Sequence, residues 1–560
     1  MHSQWALRRL HFRTLYRVFL LRVVDLELLS ADADPARLIG QFAAIFCTFS
    51  FILSLPLVLM SGDPLEMTNA WMFEHFFIET SMTVAGLIAI LNWDAAFPDK
   101  RDLLVLAPLP VEKSTLFLAK LTALLAAPAL AVVALNIFSG LFWPLVFRSS
   151  NSGFSGMLRA LPAYWITIFA AGAFFVFSIL TLQGLAANLL PRQLFLRLSA
   201  VLQTAVMCLL LSVYFLEPSL ESPAALTSPQ NHRLLEWLPS YWFLALFNQL
   251  NGSAHPSLAP LATRAWIGLG VSALGMCVAL LLCYFRLTPK IAEQPDILPG
   301  RRWVSWSPRF ASSLTEALTL FSVRTLLRSR QHRMIFSFYV GIGITIVIGY
   351  ANTVGSGFAS TSAGAAISSS FLFASILMMI LAVVALRVVA SLPVSLQANW
   401  IVRITQIRSV QDYQSGVRFS WRVLGVTPVL LIITTCLLVV YPWRPALVHL
   451  GVMSGLGLLL VELCLYTFPK LPFTCSYLPG KAQIHFVFWG GLMIFIRLLS
   501  KAAELEGRLL RRPVGCLTMI LVVAAAAFGM GYLTQSHAAS AGDLLFEEQY
   551  PAGITTLRLS

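Results

Sequence analysis

Long apolar runs separated by short polar connections set the pattern of this chain. The runs cover 40–61, 73–92, 115–136, 163–185, 196–215 and 265–285, then 334–350, 370–390, 423–441, 446–468, 484–499 and 514–533. A helix rising 1.5 Å per residue needs about 20 apolar residues to cross the hydrocarbon core, so this pattern predicts about twelve transmembrane helices. The runs beginning at Met334 and Ile484 are shorter than that length, and the latter is open to being re-entrant rather than spanning.

The charges between the runs give an orientation. The connection 61–71 carries Asp63 and Glu66 but no Lys or Arg, and 351–370 carries no charge at all. Lys100, Arg101 and Lys113, then the arginines from Arg301 to Arg333, then Arg403, Arg408, Arg418 and Arg422 fall in alternate connections. Basic loops stay cytosolic, which places both termini inside. Arg497, Lys501, Arg508, Arg511 and Arg512 depart from this scheme, since they lie outside if 484–499 spans.

Composition agrees with the pattern. Hydrophobic residues make up 58% and charged residues 11% of the chain, against about 25% charged in soluble domains. The net charge of +14 follows from the cytosolic loops, so nucleic acid is not an expected partner. The polar-leaning stretches 217–264 and 286–333 are too short to fold as soluble domains. Most of the eight cysteines lie inside apolar runs with no C-x-x-C spacing, as expected for small core residues. The first 24 residues spread their arginines through the segment, unlike a cleavable signal.

The two sets of six runs contain self-similar segments. Arg13-Thr14-Leu15-Tyr16-Arg17 matches Arg324-Thr325-Leu326-Leu327-Arg328, each on a basic stretch before the first run of its set. In the first copy, Phe12, Leu15, Tyr16 and Phe19 share a helical face while Arg9, Arg13 and Arg17 form a stripe, the pattern of a helix lying in the headgroup plane. After the second run of each set, Leu109-Pro110-Val111 matches Leu392-Pro393-Val394. Without gaps, Phe117 then aligns with Trp400, Lys120 with Arg403, and Thr122 with Thr405. The expected fold is all-α, a polytopic integral membrane protein of about 12 helices in two six-helix halves related by parallel repeat. Its first half is 1–285, with an interfacial helix at 5–24. A cytosolic linker with a second interfacial helix follows at 286–333, and the second half is 334–560.

The segment Phe97-Pro98-Asp99-Lys100-Arg101-Asp102-Leu103-Leu104, followed by Leu106-Ala107-Pro108-Leu109-Pro110-Val111 and Leu116-Phe117-Leu118-Ala119-Lys120, resembles the permease subunits of ABC transporters of the type-2 exporter group. The resemblance implies that 93–114 is a coupling segment docking on a separate ATPase subunit, with 391–421 as its second copy. It also implies that the helix holding Arg13 is the family's elbow helix. Family permeases commonly carry six spans and pair, whereas this chain holds both halves, which leaves open a second permease copy. The second coupling segment lacks the Asp99 to Asp102 cluster. Membrane lipids and the ATPase are the implied partners, ATP and Mg belong to that ATPase, and no cofactor is expected in this chain. The implied location is a cell membrane, as a multi-pass protein of the bacterial inner membrane.

The motifs of catalysis are missing from the sequence. Leu478-Pro479-Gly480-Lys481-Ala482 lacks the glycine spacing and hydroxyl of a phosphate-binding loop. Gly153-Phe154-Ser155-Gly156 lies in a polar loop, without a histidine deep in a following run. Among intramembrane polar groups, Glu79 pairs by i, i+4 spacing with His75, next to Glu74. Glu462 lies near the cytosolic end of the tenth run, with Lys470 as a candidate neutralising partner. Both carboxylates read first as structural contacts and second as groups on a transport path. Gly341, Gly343 and Gly349 allow close helix packing. The alternatives are a twelve-helix secondary transporter and, less well supported, a membrane-embedded transferase.

Overall fold

The computed structural model describes residues 2–24, 35–59, 67–93, 109, 111–146, 153–216, 231–253, 256, 258–293, 313–353, 367–392, 410–466, 468, 473, 484–510 and 512–540. Among them every regular element is helical. Eight helices are long and apolar enough to cross a membrane, over Trp71–Leu91, Ser114–Phe142, Leu158–Leu189, Ala259–Cys283, Ser369–Ala390, Tyr413–Val440, Trp443–Tyr466 and Pro513–His537. The chain is therefore a polytopic α-helical membrane protein. Four of the twelve expected spans are not among these eight. They fall on helices that, within the described residues, do not sustain the required apolar length.

The chain divides into two compact units, Met1–Glu27 with Ala31–Gly300, and Arg301–Ser560 with Leu28–Ser30. The first contains α1 (His2–Val24), α2 (Pro35–Leu59), α3 (Met67–Leu91), α4 (Lys113–Val146), α5 (Gly153–Leu189), α6 (Arg192–Leu216), α7 (Pro239–Asn251) and α8 (Ala259–Glu293). α3 is the central helix and touches α4, α5, α6 and α7. α1 lies along α4, and α5 pairs closely with α8. A Cβ on Gly184 of α5 would come within 2.6 Å of the Ala279 Cβ on α8, so only a hydrogen there permits this approach.

α7 is short because Pro239 starts it and Gly252 ends it, with the glycine at φ 82°, a left-handed conformation that side chains disfavour. Its buried face carries Tyr241, Phe243, Leu244 and Phe247. The inner end of α3 is fixed by side chains from α5 and α6. Gln183 donates to the Trp93 carbonyl, Trp93 donates to Ser199 at 3.0 Å, and Gln203 donates to the Ile90 carbonyl at 2.7 Å.

The second unit contains α9 (Ser313–Arg328), α10 (Arg330–Thr353), α11 (Ser369–Ala390), α12 (Val410–Trp421), a π-turn (Arg422–Val426), α13 (Thr427–Val440), α14 (Trp443–Tyr466), α15 (Ile484–Leu509) and α16 (Pro513–Ser540). Its centre is α11, in contact with α10, α13, α14, α15 and the π-turn. α9 lies on α12, where Gly416 lets Leu318 approach closely, and α14 pairs with α16. Gly343 of α10 similarly lies against Met378 and Leu381 of α11. The π-turn has a local cause: Pro428 has no N–H and its ring would press on the carbonyl four residues earlier. Widening the turn relieves this, and the Thr427 hydroxyl donates to the Arg422 carbonyl at 3.0 Å.

Candidate functional site

Of the residues expected to couple to a partner, Leu109, Val111 and Leu392 lie in the described structure. Asp99, Lys100, Arg101, Asp102, Pro110, Pro393, Val394, Trp400 and Arg403 lie outside the described residues. The Val111 amide donates to the Leu109 carbonyl at 2.7 Å, a tight turn with Leu109 exposed and α4 starting two residues later.

The basic helix of the first unit packs on the helix that follows its Leu-Pro-Val turn. In the first unit, Phe19 of α1 is buried against Ala119 and Ala123 of α4, with Phe12, Leu15, Tyr16 and Leu20 packed around them. The Lys120 ammonium lies over the Phe19 ring at 5.7 Å from its centroid. Arg8 forms an ion pair with Glu112, directly after Val111. Arg9, Arg13 and Arg17 are exposed on the opposite face, so the stripe read from the sequence divides an apolar side from a basic one.

In the second unit, α9 exposes Arg324 and packs against α12, and Arg328 ends the helix. In the first turn of the next helix, His332 Nε2 donates to the Leu392 carbonyl at 3.0 Å, and its Nδ1 lies 2.6 Å from the Ser329 hydroxyl. A carbonyl only accepts, so Nε2 carries the proton of this bond. Burial lowers the His332 pKa, and the bond to Leu392 opposes that shift. The Phe473 ring packs edge-on against His332, and the Phe473 amide donates to the Ala390 carbonyl at 2.7 Å.

Buried polar groups also converge near the first turns of the central helices. In the first unit, Glu74 and His75 of α3 meet α5 and α7. Asn248 donates to Glu74 Oε2 at 3.2 Å, and its own Oδ1 accepts from Ser253 at 2.9 Å, which fixes the amide orientation. His75 stacks on Tyr241 at 4.1 Å between ring centroids and lies 3.8 Å from Glu79. Glu74, Tyr164 and Thr167 line a small cavity together with Ile78, Ile168 and Phe247. Farther along, Tyr164 donates to Asn136 Oδ1 at 2.7 Å, and Asn136 donates to Ser81 at 2.8 Å, joining α3, α4 and α5.

The second unit places Ser375 of α11, His449 of α14 and Glu506 of α15 in series. Ser375 Oγ and His449 Nε2 are 2.8 Å apart, and His449 Nδ1 and Glu506 Oε1 are 2.6 Å apart, all three groups being buried. No spacing in the sequence announces this set, because its members come from three separate helices.

The expected Lys470 partner of Glu462 lies outside the described residues, and two arginines hold the carboxylate. Arg418 Nε reaches Oε1 at 2.6 Å and Arg422 Nη2 reaches the same oxygen at 3.0 Å. The four-residue spacing of these arginines, with Arg422 opening the π-turn, aims both at α14. Among the described residues no group of three His, Cys, Asp or Glu side chains is arranged to hold a metal ion. Comparison with family models, curated proteins and solved structures finds no match to this chain.

Proposed function

We propose that this chain is the membrane-spanning permease subunit of an ABC-type exporter, driven by ATP hydrolysis on a separate subunit that carries ATP and Mg. The observation that carries this reading is that the chain at each Leu-Pro-Val segment is tied to a helix near the start of its unit, the basic helix α1 in the first unit and α10 in the second. Arg8 with Glu112 and Phe19 with Lys120 make that joint in the first unit, and His332 with the Leu392 carbonyl makes it in the second. A force applied at Leu109 would pass to the basic helix α1 and along α4 into the bundle, and one applied at Leu392 would pass to α10 and along α11. Two such joints suit a partner acting on both halves at once, and they support the reading of the halves as parallel copies.

Copurification with the ATPase subunit in mild detergent tests this reading, together with transport by a variant carrying alanine at Leu109, Pro110 and Val111. The expected result is a stable complex whose transport the triple substitution abolishes. Absence of any ATPase, with transport intact in the variant, refutes it. A secondary transporter is the second reading. What favours it is that Glu74, Glu79 and Glu506 are buried in addition to Glu462, more ionisable groups than ATP-driven movement requires.

A further inference from the structure

Glu79 is the carboxylate that helical spacing singles out, yet the structure gives it His75 nearby. Glu74 is in a different situation. Among the described residues its one polar contact is the Asn248 amide. Among the described side chains, the elements packed on α3 bring no cation to it. α7 offers Tyr241 and Asn248, α6 offers Tyr214 bonded to Thr80, and α4 offers the neutral Asn136 and Ser139. α5 offers Tyr164 and Thr167, and its Arg159 donates instead to the Leu250 carbonyl at 2.8 Å. On α3 itself, His75 faces Tyr241 and Glu79.

An isolated carboxylate inside such a bundle carries a large desolvation cost, so it is either neutral or bound to a cation. The cavity beside Glu74 separates these cases. It has room for about one water, and Ile78, Ile168 and Phe247 supply half of its lining residues. That is too apolar for the five or six oxygen ligands of a bare metal cation. The Thr167 hydroxyl also lines this cavity and is 1% exposed with no hydrogen-bond partner among protein groups. One water there could link it to the Glu74 oxygen that Asn248 leaves free.

We propose that Glu74 is a proton-binding site, protonated whenever α3, α5 and α7 are packed together, and that its deprotonation requires water to enter this cavity. In the release step the Glu74 O–H bond breaks, its electron pair stays on the carboxylate, and the proton passes to an entering water as hydronium. The charged carboxylate then opposes repacking of α7 until a proton returns. The site thus links one proton to the opening and closing of the first unit, whichever energy source drives transport.

The test uses the purified full-length chain, without any partner subunit, so its outcome is independent of the permease reading. Infrared spectra of wild type and Glu74→Gln are compared across pH, with thermal unfolding in parallel. The expected result at neutral pH is a protonated-carboxyl carbonyl band that the substitution removes. Gln reproduces the neutral side chain but cannot ionise on unfolding, so the variant should melt like wild type only below about pH 4 and become the more stable of the two as pH rises above that, already at neutral pH. An unchanged carbonyl band, or loss of carboxylate bands instead, overturns the proposal. So does a Glu74→Gln chain that fails to fold, because a neutral isostere should be tolerated. Stabilisation of wild type by sodium or potassium that the variant loses would assign a metal cation rather than a proton, and would equally overturn it.

Discussion

Replacing Glu462 by Gln should destabilise the second unit far more than replacing either arginine's distant neighbours. Glu462 has a side chain 4% exposed, and its Oε1 is the acceptor for both Arg418 and Arg422. Removing its charge leaves the Arg418 guanidinium, 12% exposed, without a carboxylate. Breaking a buried pair in this way costs about 3–5 kcal/mol, most of it from the stranded charge. Arg422 is 40% exposed, and its loss leaves Glu462 still bonded to Arg418. Substitution of Arg422 by Gln should therefore cost no more than about 1 kcal/mol. The paired change of Arg418 and Glu462 to Met and Gln should recover part of the Glu462→Gln loss, since no buried charge then stands alone. Helical circular dichroism during thermal unfolding in detergent measures all of these. The reasoning is refuted if Glu462→Gln stays within about 1 kcal/mol of wild type, or if Arg422→Gln costs as much.

Two further outcomes follow from the joints at the Leu-Pro-Val segments. Burial favours neutral His332, so its contribution is complete above its ordinary pKa of 6.5 and is lost as pH falls through its lowered folded value. Melting curves between pH 8 and 5 should fall more steeply for wild type than for His332→Gln, and parallel curves would contradict this. Phe19→Ala removes the ring held against Ala119, Ala123 and Lys120, a loss of about 3–5 kcal/mol of local packing. Trypsin should then cut faster at Arg9, Arg13 and Arg17 without a matching change in global unfolding, and equal cutting rates would count against the α1–α4 joint.

Much of the helical layout is legible in the apolar runs, because a bilayer core demands long uninterrupted hydrophobic stretches. α7 escapes that reading. Its 13 residues are too few to span, and they lie in a polar-leaning stretch, though Tyr241, Phe243 and Phe247 are buried. The amphipathic face of α1 is legible for the same reason that α4 can use it, since period 3.6 puts Phe12, Leu15, Tyr16 and Phe19 on one side. Partners contributed by distant helices are not legible. Neither the two arginines at Glu462 nor the series Ser375, His449, Glu506 has a sequence spacing that could announce it. At the head of α3, spacing points to Glu79 and the fold to Glu74, since only packing reveals which carboxyl has a basic neighbour.

The widened turn at Arg422–Val426 makes the span Tyr413–Val440 one in which length and proline are interdependent. A π-turn holds one residue more than the α-helical turn it replaces. Deleting a residue there would restore regular α geometry but drive the Pro428 ring into the carbonyl of the preceding turn. Replacing Pro428 alone would keep the surplus residue and remove its cause. Only the two changes together give a straight helix, and that helix would turn α13 by about 100° relative to Arg418 and Arg422. In this span an insertion and a proline have the character of a matched pair, each harmful without the other, so their effects on stability should be strongly non-additive.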